Sequence, residues 1–111
     1  MAMREPSFMI LSALAARTLH GYGLIEEVSG LSDGRVKLSL GTLYGALDRL
    51  TEDDLVQVAR EEVVTGRLRR YYELTDRGAT VLHEELTRMR HAADKAEAQL
   101  KMRLKMRGAF A

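Results

Sequence analysis

Past Thr75, which suits a helix N-cap, the chain reads as one helix to about Arg107, roughly 45 to 50 Å long at the ordinary helical rise. In a chain of 111 residues this is longer than the core can cover. Along it Leu82, Leu86, Met89, Ala93, Ala96 and Leu100 recur at alternating spacings of four and three, a heptad-like stripe suited to a partner helix. The small Ala93 and Ala96 would let that partner come close. Packing back onto the first helix is the alternative. A mixed interface, with Phe8 and Leu11 of one copy against this helix of another, satisfies both, so a homodimer is expected.

Before Thr75 the pattern gives three short helices and a hairpin. A first helix begins near Pro6, a residue at ease in a first turn, with Phe8, Leu11, Leu14 and Ala15 as its apolar face. A second covers Gly21 to Val28, with Tyr22, Ile25 and Val28 available for burial and Gly30 ending it; Ser32-Asp33-Gly34 then favours a turn. The third runs from an N-cap at Ser39 to about Asp53. Its Leu40, Leu43, Leu47 and Leu50 fall on one side and Gly41, Thr42, Gly45 and Arg49 on the other. A helix face with so little bulk invites close approach by another body. That body is either duplex DNA or a second helix packed on the glycines.

Leu55 to Arg60 roughly alternates apolar and polar residues, and Leu68 to Leu74 is rich in strand formers. They pair as a hairpin with Gly66 at its tip and Arg67, Arg69 and Arg70 on the returning strand. The arginines give either a positive patch or a solvated, charged edge strand. Three helices followed by a basic hairpin is the order of a winged helix-turn-helix, whose third helix enters the major groove while the wing holds the backbone. The expected fold is therefore mainly α with a small β-hairpin: a DNA-binding unit over residues 1–75 and a dimerisation helix over 76–111.

Three segments in order resemble the PadR family of bacterial transcriptional regulators, in its shorter form with a single C-terminal helix. They are Leu19-His20-Gly21-Tyr22-Gly23-Leu24-Ile25, Leu38 to Leu47, and Gly66 to Thr75. The resemblance implies a homodimer that represses transcription from a palindromic operator and lets go when a small hydrophobic or phenolic molecule binds. By motif position it implies that Tyr22 donates to a phosphate and that Ser39, Thr42 and Tyr44 face the groove or its rim. Arg49 then contacts backbone or makes a solvent ion pair, and Arg67, Arg69 and Arg70 clamp phosphates. Alternation along the strand forbids all three arginines from pointing one way, so at least one is structural. Proline is usual in the family where this chain has Leu40, Gly45 and Leu68, and the absence of Trp removes one means of stacking flat ligands.

Charge argues the other way. Residues 1–87 carry ten basic against fourteen acidic side chains, a balance of −4, while the segment from Arg88 onward carries seven against two, or +5. A DNA-binding head with that balance needs a local positive patch. The balance also keeps open a winged-helix dimer that acts as a protein-interaction module without DNA or ligand. The basic end, Lys101 to Arg107, suits the negative pole of the helix dipole and could also reach DNA.

Other functions find less support. No apolar run approaches the roughly 20 residues that span a bilayer, and Met1 to Ser7 lacks the features of a secretory signal. The chain has no cysteine, which excludes disulfides and thiolate metal sites and fits a reducing cytoplasm. His83 and His91 point about 80° apart on an ideal helix, so neither a metal site nor a cofactor is expected. No nucleophile with its base and no carboxylate pair in an apolar setting suggests an enzyme.

Overall fold

The computed structural model describes residues 3–108, so the outer bounds drawn from sequence, at residues 1 and 111, lie outside the described residues. The elements are α1 (Glu5–Ala16), α2 (Gly21–Leu31), α3 (Leu40–Glu52), β1 (Val56–Val64), β2 (Arg67–Leu74) and α4 (Asp76–Met106). No described helix is long and apolar enough to cross a membrane. Two helix starts follow from single hydroxyls. Ser39 accepts from the Thr42 amide at 3.2 Å and Thr75 from the Gly78 amide at 2.9 Å, each satisfying a donor the helix cannot.

The core gathers Met9, Ile10, Leu11, Ala13 and Leu14 of α1, Leu24 and Val28 of α2, and Leu43, Ala46, Leu47 and Leu50 of α3. Leu55, Val56, Tyr72 and Leu82 close it from the other side. Three details depart from the sequence reading. Ala15 is exposed, because the buried face of α1 turns through Ala13 instead. Helix α2 passes through Gly30 and stops at Leu31, after which Asp33 (φ 54°) and Gly34 (φ 79°) supply the left-handed backbone that reverses the chain. Tyr22 is 65% exposed rather than buried.

β1 and β2 form an antiparallel hairpin joined by Thr65 (φ 52°) and Gly66 (φ 75°), the two left-handed residues that a twisted hairpin's tight turn requires. An extra residue at Ala59 bulges β1, so that Val58 faces Tyr72 and Arg60 faces Tyr71. The other edge of β2 is bridged by Leu19, whose amide and carbonyl both bond Tyr72. Helix α4 leaves this unit through Gly78, where a Cβ would stand 2.1 Å from the Leu55 carbonyl oxygen; only glycine lets the helix pass so close to the start of the wing.

α4 then runs out into solvent. Every residue from Met89 to Met106 is exposed, and the chain measures 69 × 27 × 21 Å. Its radius of gyration is 18.2 Å. A compact chain of this length has about 13 Å. The heptad-like stripe is therefore split. Leu82 is only 8% exposed within its own protomer's core and Leu86 packs against that core, whereas Met89, Ala93, Ala96 and Leu100 are open. Phe8 is half-buried at the edge of the core. Leu11 has no accessible surface and Leu82 little, so both pack in the protomer's own core, where Leu11 offers nothing for a second copy to touch.

Candidate nucleic-acid interface

The outer face of α3 is bare at its two glycines, with Asp48, Arg49 and Glu52 exposed further along the helix. A Cβ placed on Gly41 meets nothing within 4 Å, and one on Gly45 meets only the Arg49 guanidinium at 3.8 Å. The alternative in which a second helix packs on these glycines is thereby excluded within the protomer. Ser39, Thr42 and Arg49 are exposed beside them, the Ser39 hydroxyl donating to the Thr42 hydroxyl at 3.0 Å. Arg49 makes no ion pair among the described residues.

Tyr44 sits at the flank of the same helix, 45% exposed, with its hydroxyl over the first turn of α2. A methyl on Gly21 would lie 2.6 Å from that hydroxyl, so the glycine is what lets α3 cross α2 so closely. His20, just before α2, makes no capping bond through its side chain; its ring tilts against Tyr71 with centroids 5.4 Å apart, fastening α2 to the wing.

The tip-side half of β2, beyond its bridge to Leu19, completes the arrangement. An open groove of about 420 Å³ runs between it and the starts of α2 and the flank of α3, lined by His20, Gly21, Tyr22, Tyr44 and the run Arg67 to Arg70, with Val64 and Thr65 at its end. Tyr22, Tyr44, Arg67, Arg69 and Arg70, taken from three elements, thus share one concavity. None of the residues lining it is acidic. Ser39, Thr42 and Arg49 lie outside it, on the open face of α3.

The hairpin carries a second set of charges whose consequence the sequence reading overlooked. Glu61 stands opposite Arg70 and Glu62 opposite Arg69, while Arg67 faces Val64. Glu61 reaches Arg70 at 3.7 Å. Glu62 instead accepts from the Tyr71 hydroxyl at 2.7 Å and from Arg60 at 2.9 Å, and Arg60 also lies 3.7 Å over the Tyr71 ring. These donors, Tyr71 first and then Arg60 against the opposing effect of burial, hold the Glu62 carboxyl below its ordinary range. Burial in turn pushes the Tyr72 phenol up. Arg67 and Arg69 are left on one face of the strand with no ion pair among the described residues.

Comparison with known proteins agrees with this geometry. Residues 10–84 match the model of the "Transcriptional regulator PadR-like family". The transcriptional regulator Rv3488 of Mycobacterium tuberculosis is 41% identical over 76 residues, covering 68% of this chain and 67% of that protein. The transcriptional regulator YqjI of Escherichia coli is 31% identical over 99 residues, covering 89% of this chain and 44% of its own length. Among solved structures, a PadR family regulator from Clostridium difficile shares the fold with a TM-score of 0.71 at 24% identity, covering 87% of this chain and 99% of that one. Bacillus subtilis PadR in complex with operator DNA aligns with a TM-score of 0.67 at 25% identity over 75% of this chain and 48% of that one. Proteins of this family regulate transcription and are not enzymes. With its winged helix-turn-helix and single long C-terminal helix, this chain belongs to the PadR-like family of transcriptional regulators.

Proposed function

We propose that the chain works in the cytoplasm as a homodimeric repressor. Residues 1–75 read a palindromic operator and residues 76–111 join the two copies. The observation that carries this is the convergence on one concavity of Tyr22, Tyr44 and the wing arginines, next to a helix face kept bare by Gly41 and Gly45. A helix with so little bulk can lie deep in a major groove, where Ser39, Thr42 and Arg49 reach base edges or the rim. Arg67 and Arg69 then hold the flanking backbone, and Tyr22 donates to a phosphate from the first turn of α2.

The exposed stretch of α4 supports the dimer, since Met89, Ala93, Ala96 and Leu100 continue a stripe whose first members are already packed. Two reading heads joined this way must meet half-sites about one DNA turn apart. A cleft of about 220 Å³ between α1 and α4, with Phe8, Met9 and Met89 on its apolar side and the Glu5–Arg35 and Glu85–Arg88 pairs on its polar side, is the place for a small effector with an apolar body and a polar group, such as a phenol. Occupying it would alter the angle at which α4 leaves the head, and so the head-to-head distance.

Electrophoretic shift of the DNA upstream of the chain's own coding sequence tests the reading. A retarded band that is lost with Arg67→Ala plus Arg69→Ala, and released by phenolic compounds, is the expected result. A protein that shifts neither this DNA nor an inverted repeat taken from it is the interaction module instead.

A further inference from the structure

The wing of this chain carries more positive charge than it can offer to DNA. Of its four arginines, Arg60 and Arg70 are already in contact with carboxylates. The two contacts differ in kind. Glu62 is held by Tyr71 and Arg60 together, and the Arg60 guanidinium is itself stacked on Tyr71, so this group is a closed knot within the hairpin. Glu61 has a single ion-pair partner among the described residues, at 3.7 Å, and both side chains of that pair are about half exposed. Arg70 also lines the groove that Arg67 and Arg69 share. An exposed pair at that separation is weak and exchanges readily with another anion.

We propose that Glu61 acts as an internal substitute for a DNA phosphate: it occupies Arg70 in the free protein and competes with the backbone for it, so the wing grips DNA with two arginines instead of three. The proposal rests on the reading of the wing as a phosphate clamp. Phosphate contacts position a protein without reporting sequence. A competitor placed on one of them weakens binding to every duplex, and it leaves the α3 contacts a larger share of the total. Glu61 therefore lowers specific and non-specific affinity alike and leaves their ratio to the α3 contacts. The register shift at Ala59 sets the pairing, since the Val58–Tyr72 register continued without it would bring Glu61 opposite Arg69.

The test uses the full chain as wild type, Glu61→Gln, Arg70→Ala and the double variant. Each is titrated over a range of salt concentrations against the upstream duplex and a scrambled duplex of the same composition. Glu61→Gln keeps the shape of an exposed side chain, and a circular dichroism spectrum verifies its fold. It should bind the scrambled duplex about threefold more tightly at low salt, with a salt dependence steeper by about 0.9, the signature of one more neutralised phosphate. Arg70→Ala removes the contested contact, so adding Glu61→Gln to it should give neither the threefold gain nor the steeper salt dependence in the double variant. A gain that survives Arg70→Ala overturns the proposal, because it would come from relief of long-range repulsion. Unchanged affinity and slope in Glu61→Gln overturn it as well while leaving the clamp intact, provided the wild type binds. If no variant binds either duplex, the clamp itself fails and the proposal with it.

Discussion

Substituting Gly45 by alanine should strengthen the fold and weaken its grip on DNA, two effects of opposite sign from one methyl group. Gly45 lies in the interior of α3, where glycine costs about 0.5–1 kcal/mol relative to alanine through the backbone entropy it loses on folding. Nothing offsets that gain, because the added carbon meets only the Arg49 guanidinium at an ordinary contact distance of 3.8 Å. The midpoint of thermal unfolding should rise by about 3–5 °C. On DNA the same methyl occupies the space that lets the helix seat in the groove. Forcing a methyl into a close-packed contact costs about 1–3 kcal/mol, so affinity should fall by roughly fivefold to a hundredfold. Calorimetry on the free protein and fluorescence anisotropy on the upstream duplex measure the two effects separately. An alanine variant that binds as well as the wild type would refute the role given to the bare face. One that melts earlier would refute the open surroundings of Gly45.

The contrary result is expected at Gly78→Ala, whose Cβ would collide with the Leu55 carbonyl and the Leu74 side chain; the first turn of α4 and its Thr75 cap must shift, and urea denaturation should show a loss of about 2 kcal/mol or more despite alanine's better helix propensity. Glu85, buried at the junction of α4 with the start of the chain, accepts from Arg88 and from the Met3 amide, and these donors lower its carboxyl below the ordinary 4.5. Stability from this group is therefore present above that value and is lost as pH falls through the lower folded value; Glu85→Gln should flatten the acid limb of a stability–pH curve, and an unchanged limb would exclude Glu85 as its source. Ala96→Glu places a charge in the centre of the exposed stripe without touching the protomer's core, and sedimentation should show a monomer; a dimer of unchanged affinity would move the interface elsewhere.

What could be read from the sequence was local. Ser39 and Thr75 announce helix starts because one hydroxyl at one position suffices, and the Thr65-Gly66 tip is legible because a two-residue turn needs left-handed backbone. The sidedness of α3 came from spacing alone and holds for Leu43, Leu47 and Leu50, while Leu40, at the first turn, remains partly exposed. Failures came wherever a residue's fate depends on something distant. Leu11 satisfies the same helical period whether it faces the core or a second copy, and only the arrival of α2 and α3 decides for the core. Tyr22 had the hydrophobicity for burial, but Leu24 and Val28 claim the inner face of α2. The bulge at Ala59 leaves no mark in the alternation of β1, yet it sets which glutamate meets which arginine.

The acidic balance of residues 1–87, −4, stands against DNA binding on its face, and the groove explains why it does not decide the matter. Exposed charges act over about a Debye length, some 8–10 Å at ordinary ionic strength, so a phosphate responds to its immediate surroundings more than to the sum over the unit. The residues lining the groove include three arginines and no carboxylate. Two of the four wing arginines are matched by Glu61 and Glu62, which brings the formal charge of the hairpin close to neutral while leaving Arg67 and Arg69 without ion-pair partners. A head built this way attracts DNA weakly at long range and holds it through a few fixed contacts at short range. Its association rate should therefore be modest, and its preference among duplexes should rest on how well the bare face of α3 fits the bases beneath it.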